Sequence, residues 1–129
     1  MSDFPQASPS PAALARTAAE AVRSLNHATL GGGGLEQPSD ACEVLGELAT
    51  AASRLPQLLA QVAGSLDRAL AGGRLGHDLA EDPCLAVETA GLFLDGARLS
   101  AAALAGDLGA AQQQLALVNG NPARKEALP

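Results

Sequence analysis

Residues 38–73 read PSDACEVLGELATAASRLPQLLAQVAGSLDRALAGG, and the fold turns on whether Pro56, near the middle, ends one helix and begins another. A proline inside a helix removes a backbone hydrogen bond and crowds the carbonyl four residues back, at a cost of about 3 kcal/mol. The apolar register nevertheless runs through it. Leu45, Leu48, Ala52, Leu55, Leu59, Val62, Leu66 and Ala69 keep spacings of three and four on both sides of position 56. Two helices pointing in different directions have no reason to share one register. The stretch therefore reads as a single bent helix over about 40–71, opened by Asp40 and Glu43 as a D-x-x-E capping box and closed by Gly72 and Gly73.

Working outward, Ser10 and Pro11 are an N-cap and a first helical residue, and Gly31 supplies a left-handed stop, so a first helix is expected over about 11–30. Leu14, Ala18, Ala21, Leu25 and Ala28 form its stripe, while Arg16, Glu20 and Arg23 lie off it at pairing distance. Downstream, Asp82 and Pro83 repeat the opening signal, and Asn119 and Gly120 close a third helix over about 83–118. Val87, Ala90, Leu94, Ala97, Ala101, Leu104, Leu108, Ala111, Leu115 and Val118 hold heptad spacing along it.

The expected fold is all-α: an up-down-up three-helix bundle over 10–119, built on a long antiparallel hairpin, with disordered termini at 1–9 and 120–129. Composition agrees, because the 47% hydrophobic content is almost all Ala, Leu and Val. With no Ile, Tyr or Trp and only Phe4 and Phe93 as aromatics, the chain lacks the residues that sheets prefer. The first helix is too short to cover the whole hairpin, unless Leu75 and Leu79 of the connector fold over the far end.

A formal charge of −6 with a single lysine, Lys125, gives nucleic-acid phosphates nothing to hold. No run of 18 uncharged apolar residues is present to cross a membrane. The opening MSDFPQASPSP has neither the basic nor the apolar region of a secretory signal, so a cytoplasmic location is expected.

Residues Gly31, Gly32, Gly33 and Gly34 raise the question of a phosphate-binding loop. Such a loop needs a lysine, a following Ser or Thr and a preceding strand, none of which is here, and Glu36, Asp40 and Glu43 would repel an anion. The run reads as a hinge of slack chain, with no left-handed geometry needed at Gly32 and Gly33.

Cys42 and Cys84 each begin a helix, at opposite ends of an antiparallel hairpin, which rules out a disulfide between them and leaves free thiols. His27 near Cys42 and His77 near Cys84 are conceivable Cys/His pairs, but the neighbouring acids would raise a thiol pKa. The histidines and cysteines show none of the short ligand spacings of metal sites, and no cofactor or metal is expected.

The run SLNHATLGGGGLEQPSDACEVLGELATAASRLPQLLAQ, biased to Ala, Leu and Arg, resembles a class of small all-helical proteins of GC-rich actinobacterial genomes. That class has no assigned activity, and its members often accompany plasmid-like or integrating elements. The size and Ala-rich antiparallel pair are also loosely similar to the helical-hairpin substrates of type VII secretion. Those carry a W-x-G turn, whereas this chain has GGRLGHD at its turn and no Trp, so export as a helical-hairpin protein is a minor reading.

The expected function is that of a non-enzymatic helical interaction protein, forming a homodimer or docking a partner helix. The third helix carries only Glu88, Asp95, Arg98 and Asp107 as charges, and besides its heptad stripe it has a second one at Leu85, Leu92 and Leu99, with Phe93 alongside and Gly106 and Ala110 continuing it. The alternative is an enzyme, or a small-ligand or metal binder, that uses the 77–84 connector with its cluster of His77, Asp78, Glu81, Asp82 and Cys84.

Overall fold

The computed structural model describes residues 7–120. They contain three α-helices and no strand: α1 (Pro11–Ala28), α2 (Pro38–Ala71) and α3 (Pro83–Leu115), with a short 3-10 turn at Leu30–Gly32. The protein is all-α and built on an antiparallel helical hairpin of α2 and α3. Most of the two termini expected to be disordered lie outside the described residues. The chain divides into two compact units, α1 with the glycine segment up to Gln37, and the hairpin from Pro38 onward.

In the first unit Ser10 caps α1 by accepting the Ala13 N–H at 3.1 Å, with Pro11 as the first helical residue. Glu20 and Arg23 pair in solvent at 3.7 Å, and no residue of α1 is buried. The helix stops at Ala28, two residues short of the expected end: Thr29 N–H makes the last bond four residues back, to Leu25 O, and beyond it Gly31 has positive φ while Gly32 and Gly33 donate only three residues back.

The expectation that no left-handed geometry is needed at Gly32 is corrected here. Gly31, Gly32 and Gly34 all have positive φ, at 65°, 83° and 73°. A Cβ on Gly33 would stand 2.7 Å from the Ala28 carbonyl oxygen. Gly32 N–H donates to Thr29 O, Gly33 N–H to Leu30 O, and Gly34 N–H to the Glu36 carboxylate. The segment is thus a wound turn that only glycine can trace at these positions, and its N–H groups are engaged by the chain itself.

Helix α2 is continuous through Pro56, over 34 residues, about 51 Å. It begins two residues before the expected start. Pro38 takes the first helical position, where its fixed φ suits the helix and its missing N–H costs nothing, so Asp40 lies within the first turn and not at the N-cap. Helix α3 opens as expected, with Asp82 accepting the Cys84 N–H at 2.9 Å and Pro83 first in the helix. It ends at Leu115 rather than 118, since Ala116 and Val118 donate to carbonyls only three residues back and tighten the chain into turns.

Three features set the hairpin register: Cys42 Sγ on the Gln112 carbonyl at 3.7 Å, a surface groove that Pro56 shares with Arg98, Leu99 and Ala102, and another that Ala63 and Leu66 share with Val87, Gly91 and Leu94. Each pairing is centred near residue 77. Ala52 and Ala101 fall at one level, and they are the only buried apolar residues described, 3% and 7% exposed.

The seam differs from the expected stripe in a consistent way. On α2 the buried or half-buried positions along the middle and end of the helix include Leu45, Leu48, Ala49, Ala52, Pro56, Leu59, Ala63, Leu66, Ala69 and Leu70. On α3 they include Val87, Ala90, Gly91, Leu94, Ala101, Ala105, Leu108, Gly109, Gln112 and Leu115. Most of each expected stripe is right. The exceptions are Leu55 and Val62 on α2 and Ala97, Leu104 and Ala111 on α3, which are exposed, as is Val118 beyond the helix end; at Leu55, Val62, Leu104 and Ala111 the next residue is half-buried instead. The physical reason is the width of the apolar arc: with Ala or Leu on both sides of the stripe, either neighbour can turn inward, and the one seam glycine whose Cβ would meet the opposite helix is Gly46, against the Gln112 side chain. Leu79 remains exposed and does not cover the connector end.

Candidate interaction surface

Helix α3 presents two faces, because it is apolar almost all round. The seam face packs on α2. The residues two positions away, about 200° around the axis, carry Leu85, Leu92 and Leu99, and these are 67%, 74% and 75% exposed, with Phe93 at 76%. All four residues read from the sequence as interaction candidates thus stand on the outer side of the hairpin. A fully exposed core-type side chain forgoes about 1.5–3 kcal/mol of burial, which makes the group costly to leave in water. The α2 flank adds exposed Leu55, Leu58 and Val62.

The sequence reading missed the residues between those leucines. Thr89, Gly96 and Ala103 are also exposed and interleave with Leu85, Leu92 and Leu99 at spacings of four and three. A Cβ placed on Gly96 or Gly106 would meet nothing within 4 Å. Glycine inside a helix costs about 1 kcal/mol relative to alanine, and nothing in the hairpin requires it at either position. The signal available in the sequence was the position four residues after each of Leu85, Leu92 and Leu99, which falls on the same face.

The connector holds the polar residues of the alternative reading as two separate pairs. His77 Nδ1 accepts the Leu79 N–H at 3.1 Å, and its Nε2 lies 3.9 Å from Glu81, an ion pair only with His77 protonated. Cys84 donates its thiol to Glu88 Oε1 at 3.4 Å. That hydrogen bond, with the charges of Glu88 and then Asp82, raises the Cys84 pKa above the ordinary thiol value, so the thiol is held protonated and poorly nucleophilic. No group of three or more His, Cys, Asp or Glu able to hold a metal occurs among the described residues. His27 lies in the last turn of α1, and Cys42, in the second turn of α2 since the helix begins at Pro38, is engaged with Gln112. Both cysteines are free and half-buried, less enclosed than small core residues would be.

Gly31, Gly32, Gly33 and Gly34 form the turn described above. No described helix is long and apolar enough to cross a membrane. No family model, curated protein or solved structure matches the chain.

Proposed function

We propose that this is a non-enzymatic helical interaction protein that works through the outer apolar face of α3, associating with a second copy or with a partner helix. The observation that carries this reading is the exposure of Leu85, Leu92, Phe93 and Leu99 on one side of a helix with four charges in 33 residues. A continuous apolar patch of this kind marks an interface far more often than it marks an idle surface. The hairpin's thin seam points the same way, since one alanine fully enclosed on each helix gives little core for 67 helical residues and leaves stability to be gained by association.

The test is the double substitution Leu92→Glu and Leu99→Glu, followed by light scattering and thermal unfolding. An interface gives a wild-type assembly that becomes a folded smaller species. A monomeric wild type whose double variant unfolds places these leucines in intramolecular packing and removes the basis of the reading.

A further inference from the structure

Resting on that reading, we infer that the occupant of the outer face of α3 is α3 of a second copy, packed antiparallel about a twofold axis between Gly96 and Leu99. Along the exposed face, residues at alternating spacings of four and three are Leu85, Thr89, Leu92, Gly96, Leu99, Ala103, Gly106 and Ala110. None of the four charged residues of α3 stands on this line. Large and small residues are not scattered along it: Leu85 and Leu92 lie in the first half, Leu99 stands just past the midpoint beside Gly96, and the rest of the second half is small, Ala103, Gly106 and Ala110.

An antiparallel copy centred at the midpoint of that line meets it in one register that seats every leucine on a small residue. Leu85 lies against Ala110 of the copy and Leu92 against Ala103. Leu99 enters the notch at Gly96, and Thr89 meets Gly106. The twofold axis repeats each contact, as a self-complementary interface requires. The register also accounts for two glycines that the hairpin itself leaves unused, because a Cβ at either would fill open space now but would stand between the two helix axes in the pair. A parallel copy in register would instead set leucine on leucine and glycine on glycine, with alternating clashes and gaps.

The area is of the right size. With roughly 180 Å² for a free leucine and roughly 200 Å² for a free phenylalanine, Leu85, Leu92, Phe93 and Leu99 at their observed exposures offer on the order of 500 Å² per chain. The small residues between them bring this toward the roughly 800 Å² per partner of a standard stable interface.

The experiment uses the full chain with Cys42 and Cys84 replaced by Ser. Two single-cysteine variants, Leu85→Cys and Ala110→Cys, are oxidised separately and then mixed, with circular dichroism to confirm that both fold. The register expects covalent dimer only in the mixture, because positions 85 and 85 of two antiparallel copies are roughly 38 Å apart. Light scattering on the wild type expects a dimer, and Gly96→Leu, which fills the notch, expects at least a tenfold weaker dimer with helix content unchanged. Cross-linking of either variant alone, or a dimer indifferent to Gly96→Leu, overturns the register while leaving self-association intact. A monomeric wild type overturns the second copy as occupant, and the Leu92 and Leu99 variants then decide separately whether the face is an interface for a different helix.

Discussion

The closeness of the α2–α3 approach can be tested at its centre by Ala101→Leu. Ala101 is 7% exposed and faces the level of Ala52, at 3%, so three added carbons have no free volume to enter. If the helices separated to accept them, burial of the new carbons would return about 0.8 kcal/mol each. Separation, however, would expose the neighbouring half-buried seam positions Leu48, Ala49, Leu94 and Ala105. Overpacking of this kind costs about 1–3 kcal/mol, and the loss of seam contact sets the balance toward that cost. The assay is urea unfolding followed at the helical circular dichroism band, with Ala97→Leu as control. Ala97 is one turn away on the same helix but exposed, so its substitution is expected within about 0.5 kcal/mol of wild type. A midpoint for Ala101→Leu equal to or above that of the control would show that the helices do not meet there and would refute the seam assignment.

Two other outcomes are expected. Gly32→Ala forces a side chain into positive φ at about 1–2 kcal/mol, and Gly33→Ala drives its Cβ against the Ala28 carbonyl; both should lower hydrogen-exchange protection of the Gly32 and Gly33 amides, and unchanged protection would argue for a different turn. Labelling of the Cys84 thiol in a Cys42→Ser chain should rise with pH later than for an ordinary thiol, since the thiolate is disfavoured beside Glu88; Glu88→Gln should move the profile to lower pH, and a shift the other way would show that Glu88 is not the cause.

The helices themselves were legible in the sequence because their boundary signals are chemical: Ser10-Pro11 and Asp82-Pro83 open α1 and α3 in the structure as in the reading. Pro38 carried the same signal, and it was passed over for the capping pattern at Asp40 and Glu43. The side of each helix that faces its neighbour was legible at most positions but not at all of them. In an Ala- and Leu-rich helix the apolar arc is wide, and periodicity alone cannot choose between Leu55 and Pro56, or between Leu104 and Ala105, as the companion of the correctly placed positions. Counting favoured the larger residue, whereas the structure turns the smaller inward at both. The same bias hid Gly96 and Ala103, since a residue with little or no side chain does not register as part of an apolar stripe. The positive φ at Gly31, Gly32 and Gly34 was invisible for a different reason: glycine permits that geometry without requiring it.

The register of the hairpin also dictates the order in which it closes. Pairings near the connector, such as that of Leu66 with Val87, join positions about 20 residues apart, whereas the contact of Cys42 with Gln112 spans 70. Closing the longer loop outright costs roughly 1 kcal/mol more in chain entropy, so the helices zip from Gly73 and Asp82 outward, each pairing shortening the loop left for the next. Pro56 stands midway along that path, at a point where α2 lacks one of its own backbone hydrogen bonds. The open end is therefore the last part to form and the first to fray, and the thiol that nature has placed there, Cys42, is a built-in reporter of that breathing.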